Sequence, residues 1–357
     1  MKKSYLALTI LLMIVIVGCT NNEVDESQDN EEEVEVSQEE NNAENNTSEE
    51  SNLENEEAEE NEETENEEEE TEEFKADAAG YEISSGDKLN VEIVGETVIF
   101  DNQLQIAGKT NLPGGARIHI AQKPIGDVTF MGTSGYASIE SDGTFKYEKE
   151  IPEDYKDHLK IAMTFKPSVS NGDIKDVYGE LGEKLEGPFV RKGYGSDEYY
   201  KEAFVEVYHE RNKDGSLSKA EIPIPSRNKP DDYGDLNIRM DANLDYDDNY
   251  VYINGTSNLI EGNDLRVLVN KPSGSRSGMS EFVTIKPDGS FNVIFKNKSK
   301  DGSLKDYKLL LKFSISSSNW PDAIEKYGEN GENLNGELVE EQSDGDRIAE
   351  KEITIKE

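Results

Sequence analysis

The chain has 357 residues, and 78 Asp and Glu against 37 Lys and Arg give it a formal charge of −41. That balance excludes a nucleic-acid partner, because no basic patch rises above the acidic background to neutralise phosphates. A single cysteine excludes an intrachain disulfide, so whatever folds is held by burial and hydrogen bonding alone.

The chain opens on Lys2 and Lys3, an apolar run from Leu6 to Val17, and then Ile16-Val17-Gly18-Cys19. A basic start, an apolar centre and small residues at the end are the three parts of a secretory signal. The run is shorter than the roughly 20 residues that a membrane-spanning helix needs. Its last four residues resemble the lipobox of bacterial lipoproteins. The resemblance implies that residues 1–18 are removed and that the Cys19 thiol is lipidated. It also implies a chain held on the extracytoplasmic side of a cell membrane, most simply a Gram-positive surface, with that membrane as its first partner.

Residues 19–75 read as a disordered tether. They are nearly all Glu, Asn, Ser and Thr, and they carry 27 of the 78 acidic residues and no basic residue before Lys75. Too little apolar surface is present to offset the entropy of ordering. A flexible coil of this length has an end-to-end distance of roughly 40 Å, which charge repulsion increases. With the tether and the two signal lysines set aside, residues 74–357 retain a charge of −16.

The remainder is an internal duplication. Leu104-Gln105-Ile106-Ala107-Gly108-Lys109-Thr110-Asn111-Leu112 matches Val251-Tyr252-Ile253-Asn254-Gly255-Thr256-Ser257-Asn258-Leu259. Asp142-Gly143-Thr144-Phe145 matches Asp288-Gly289-Ser290-Phe291, and Tyr178-Gly179-Glu180 through Gly187 matches Tyr327-Gly328-Glu329 through Gly336. The copies fall at 76–210 and 234–357, with the Pro-containing stretch 211–233 between them as a linker. Period-two apolar patterns predict strands at Leu89–Ile93 and Leu236–Met240, at Ile118–Ile120 and Leu265–Val269, and at Ile161–Phe165 and Leu309–Phe313. Final strands hold Phe204–Val207 and Ile353–Ile355. Asp101-Asn102 and Asp247-Asp248-Asn249 read as turns, and the two Asp-Gly pairs as hairpins. Six or seven short strands per copy give an all-β chain with two tandem β-sandwiches. The pattern resembles bacterial immunoglobulin-like domains. The Gly108–Gly115 and Tyr-Gly-Glu blocks are similar to those of a domain in uncharacterised envelope lipoproteins, which implies an architecture and not an activity.

Chemistry-bearing residues are sparse. Glu180 with Glu183, and Glu329 with Glu332, are paired carboxylates, but the fold accounts for them better. In that reading Tyr178 and Tyr327 plug the cores after short helical stretches. Asp241–Asp247 begins like an EF-hand loop but has Tyr246 where the glycine belongs and Tyr252 where the acid belongs, so a strand with an acidic outer face is expected. A weak Ca²⁺ site at Asp245, Asp247 and Asp248 is the alternative, and no cofactor or metal centre is otherwise indicated. His119, His158 and His209 have no partner at metal-ligand spacing. No catalytic residue is assigned and an enzyme is not expected.

The binding candidates lie where the copies differ. Copy one carries Arg191, Lys192, Tyr194, Tyr199 and Tyr200, where copy two has the plain acidic stretch Leu338–Asp346. Tyrosine with glycine, serine and arginine is the chemistry of an adaptable binding surface. The loop Ile125–Tyr136, with Phe130, is the second candidate, and Trp320 is expected to pack on the core. Together these residues point to a lipid-anchored, non-catalytic binding or structural module that meets a wall polymer or an envelope protein. The rival readings are an enzyme or accessory subunit of wall remodelling and a cation-binding surface protein.

Overall fold

The computed structural model describes residues 75–84, 86–126 and 132–356. The signal, Cys19, the acidic stretch to Phe74 and Phe130 lie outside them.

The chain's turns set where its strands begin and end. Asp101 and Asn102 take φ of 46° and 61°, the pair of left-handed residues that a two-residue hairpin requires. They join β1 (Ile93–Phe100) to β2 (Gln103–Thr110), with Phe100 opposite Gln103 and Ile93 opposite Thr110. There follow β3 (Arg117–Pro124), β4 (Thr133–Ser138), β5 (Thr144–Glu150), β6 (Leu159–Phe165), helix α1 (Gly172–Tyr178), β7 (Val190–Gly195), β8 (Glu198–His209) and β9 (Ser218–Glu221). The second copy repeats the order: β10 (Met240–Tyr246), β11 (Tyr250–Ser257), β12 (Asp264–Asn270), β13 (Arg276–Thr284), β14 (Ser290–Lys296), β15 (Lys308–Ser314), α2 (Pro321–Tyr327), β16 (Val339–Glu341) and β17 (Arg347–Thr354).

The strands make four antiparallel sheets, two for each copy. In copy one β5-β2-β1-β9 faces β4-β3-β6-β8-β7, and in copy two β10-β11-β14 faces β13-β12-β15-β17-β16. The first two hairpin strands and the fifth form one layer, and the third, sixth and eighth the other. This is the strand distribution of an immunoglobulin-like sandwich. Inward residues of both layers, such as Ile106, Ile118, Phe145, Ile161 and Phe165, form one core, and Ile253, Leu265, Phe291, Leu309 and Phe313 belong to its counterpart.

The repeated blocks have local structural causes. A Cβ on Gly108 would come within 2.6 Å of the Phe145 ring, and one on Gly255 within 2.0 Å of the Phe291 ring. Each glycine therefore leaves room for the phenylalanine of the other block. Asn111 accepts from the Glu92 N–H at 2.9 Å and donates to the Asn90 carbonyl at 2.7 Å. Asn258 does the same for Arg239 and Asn237 at 2.9 and 2.8 Å. Tyr178 and Tyr327 are fully buried, each edge-on to a core phenylalanine at 5.4 Å. The glutamates of that block serve their own turns. Glu183 accepts from the Leu181 N–H and Glu332 from the Asn330 N–H, both at 3.0 Å. Backbone hydrogen bonds hold both carboxyls below the usual range.

Several elements differ from the sequence expectation. Leu89–Ile93 is not a strand over its length. Only Asn90 bridges to Glu186, as Asn237 does to Asn335, because the asparagine side chains take the backbone groups that a neighbouring strand would have taken. The Asp-Gly turn at 142–143 closes one antiparallel bridge, Ile139 to Phe145, after which its two strands diverge into opposite sheets. Part of the expected linker is a strand: β9 pairs with β1, Ala220 opposite Thr97. The segment before β1 is also in use, since Ala76 and Ala78 cover Val98 and Ala107 on the outer face of the first sheet.

Candidate functional site: a hairpin and a junction between the sandwiches

The segment singled out in copy one is a long hairpin. β7 and β8 pair from Val190–Ala203 to Gly195–Glu198, and Ser196 and Asp197, at φ 52° and 61°, close it. Alternate residues face opposite ways. On one face the Arg191 guanidinium meets the buried carboxylate of Glu202 at 2.7 Å and lies over the Phe204 ring. Lys166 reaches the same carboxylate at 3.3 Å and the Tyr200 hydroxyl at 3.1 Å. Burial opposes the charge on Lys166, but the Tyr200 hydrogen bond and the Glu202 charge outweigh it and raise its pKa. The missing side chain at Gly193 makes room for the Tyr200 ring, which a Cβ would approach to 2.3 Å.

The other face of the hairpin meets copy two. Tyr194 and Tyr199 have ring centroids 5.0 Å apart, and Tyr199 stands edge-on to Trp320 at 6.1 Å. The Tyr199 hydroxyl accepts from the Asp322 N–H at 3.0 Å, and the Lys192 ammonium lies 3.4 Å from the Asp322 carboxylate. Of the expected binding residues, then, Lys192 and Tyr199 contact the second sandwich. Arg191 and Tyr200 pack on the Glu202 and Lys166 side, and Tyr194 lies between Asp197 and Tyr199. Tyr136 of the second candidate loop lies in β4, beside His119 and under Arg117.

A second set of contacts closes the junction at the end of β6. Asp157 accepts from the Tyr250 hydroxyl at 2.8 Å and pairs with Lys296 at 2.8 Å. The His158 ring stacks on Tyr250 at 3.8 Å, and the His158 N–H donates to the Tyr250 hydroxyl at 3.1 Å. Its Nδ1 accepts from the Arg211 N–H at 3.0 Å, which leaves the ring proton on Nε2, 3.5 Å from the Tyr252 hydroxyl. Burial pulls the His158 pKa down to about 4, against the pull of Asp247 and Asp157, so the imidazole is neutral. Arg211 is itself buried. Its guanidinium donates to the Tyr155 carbonyl and to Asn102. At the far end of β8, His209 is enclosed between Thr97 at 2.6 Å and Ser218 at 2.9 Å, which fastens β9 to the first sandwich.

Sequence reasoning gave no role to Asp157, Tyr250 or the two residues it weighed and set aside, His158 and Tyr252. A signal was present, however. Tyr250 and Tyr252 stand where copy one has Gln103 and Gln105, at outward positions of an amphipathic strand. Two large aromatics on the solvent side of a strand mark a covered face.

The expected EF-hand-like stretch is strand β10, with its odd-numbered residues turned outward. Among the described residues no group of three or more His, Cys, Asp or Glu could hold a metal ion, and no helix is long and apolar enough to cross a membrane.

No protein-family model matches the chain, and no curated protein matches it. Solved structures similar to it include a tetra-tandem repeat in the extending region of a large adhesion protein, 11% identical with a TM-score of 0.19, covering 72% of this chain. The chain spans about half of that structure, 48%. A DUF3823 family protein from Parabacteroides merdae is 10% identical with a TM-score of 0.21, covering 68% of this chain and 87% of its own.

Proposed function

We propose that this is a lipid-anchored, extracytoplasmic, non-catalytic module that presents two fused β-sandwiches to a partner in the cell envelope. The observation that carries this reading is the order of parts along the chain. An apolar leader ending in Cys19 comes first, then an acidic stretch with no catalytic motif, then two sandwiches that bind each other. Lipid on Cys19 would hold the chain to the membrane. Residues 20–73, all of one charge sign, would extend away from an anionic surface. A pair of sandwiches joined at two places then offers its loops and sheet edges in one fixed arrangement, which lowers the entropic cost of binding a large partner.

Expression of the full chain with Cys19→Ala tests the anchor. The native protein should sediment with membranes and the variant should be released into the medium. Equal membrane retention of the two would overturn the lipid-anchor reading.

A further inference from the structure

The junction encloses a cleft of about 270 Å³ that neither set of docking contacts fills. Its walls come from both sandwiches: β3, β6 and β8 on one side, β13 and β14 on the other. Lys123, Lys160, Lys296 and Lys298 line it. Lys286 lies outside the lining and feels the charges of Glu206, Asp288 and Lys160. Four carboxylates act on these five ammonium groups, Asp288 on Lys286 among them, and Lys298 has a partner of its own. Glu206 lies 3.5 Å from Lys160, Asp157 lies 2.8 Å from Lys296, and Glu281 lines the cleft. The lining itself, four lysines and one glutamate, is positive, in a folded region whose overall charge is −16. A local reversal of sign inside a concave, low-dielectric wall focuses the field on whatever enters.

Two of the lysines are short of partners. Neither Lys123 nor Lys286 makes an ion pair or side-chain hydrogen bond to any described residue. Lys286 is half-buried, and burial lowers its pKa.

The donor set also indicates the kind of anion. The flat fork of arginine matches a carboxylate with two parallel hydrogen bonds, and no arginine lines this cleft. Several compact ammonium groups converging from different strands suit a small oxyanion with charge on every side. The volume admits a phosphate with a short substituent, such as a glycerol or one end of a sugar. Tyr208 supplies a rigid floor, its hydroxyl already donating to the Asn292 carbonyl at 3.2 Å.

We propose that this cleft binds a phosphate-bearing anion, held by Lys123, Lys160, Lys296 and Lys298. The proposal does not depend on the lipid anchor, so its failure and that of the anchor are separable. It is tested by titrating the full chain with inorganic phosphate, a poly(glycerol phosphate) chain, phosphatidylglycerol vesicles and acetate, with binding followed by calorimetry. Phosphate should bind and acetate should not. In the Lys123→Gln/Lys298→Gln variant phosphate affinity should fall by about tenfold, the loss expected for a charged hydrogen bond. Both substituted lysines are exposed, and an unchanged thermal melt would show that the variant folds. Tighter binding of the polymer would identify a phosphodiester chain as the source. Preference for vesicles would identify a lipid headgroup, and saturation by inorganic phosphate alone would identify the free ion. Absence of binding in every arm, equal affinity for acetate, or an unaltered affinity in the variant would overturn the proposal.

Discussion

The paired tyrosines Tyr178 and Tyr327 show how a duplicated residue can come to carry different energetics. Both are fully buried, and burial pushes both phenols up to about 12. The Tyr327 hydroxyl accepts from the Ile260 N–H at 3.1 Å, whereas the Tyr178 hydroxyl has no hydrogen-bond partner among the described residues. A buried hydroxyl without a partner keeps its desolvation penalty. One whose partner is a backbone N–H leaves that donor unpaired when removed. Tyr327→Phe should therefore cost about 1–2 kcal/mol, while Tyr178→Phe should be neutral or slightly stabilising. Denaturant unfolding of the two variants checks this, and equal costs would contradict it. The buried position of both tyrosines was legible in the sequence, because an aromatic repeated before a glycine at the same place in both copies reads as a core plug. The difference between them was not, because it depends on which backbone N–H the neighbouring loop brings to the hydroxyl.

At the scale of elements, the two copies diverge at their edges and not in their cores. In copy one β9 covers the outer edge of β1 and is fastened there by His209 through Thr97 and Ser218. In copy two no described strand lies outside β10. The Ala242 and Tyr246 N–H groups are instead taken by the carboxylates of Asp241 and Asp245, each at 2.9 Å. Acidic side chains turned back on an open edge blunt it against pairing with other chains. The same aspartates gave the sequence its EF-hand-like appearance, and their role in the strand explains them without a cation. The β7–β8 hairpin is the other divergent element, in the segment where the two copies differ in sequence. Its direction could not be read, since contact with Trp320 and Asp322 depends on how the second sandwich is placed. Trp320 is the only tryptophan in the chain, so its fluorescence reports on its own surroundings, Tyr199 on one side and Gly262 on another. Tyr199→Ala should raise quenching of that emission by acrylamide severalfold and leave the far-ultraviolet circular dichroism unchanged. Unaltered quenching would show that the hairpin is not docked in solution.

At the scale of the whole folded region, the sequence reads as two sandwiches and a linker, and leaves open whether the two touch. The answer lies in groups that no pattern ties together, because Asp157, Tyr250 and Lys296 meet only after both copies have folded. Residues 209–221 lie on the first sandwich through His209, Arg211 and β9, which shortens the free connection between the copies. One set of contacts sits at the hairpin tip and another at the end of β6, and two separated contacts resist rotation where one would act as a hinge. Together the two contacts make the sandwiches one rigid body. Because Cys19 is the only cysteine, a Cys19→Ser chain with Glu148→Cys in β5 and Glu340→Cys in β16 can be spin-labelled at two exposed sites, one on each sandwich. Pulsed electron paramagnetic resonance should return a single narrow distance distribution that broadens when Tyr199→Ala and Tyr250→Phe are added. A broad distribution in the chain with both docking contacts intact would show that the sandwiches move independently.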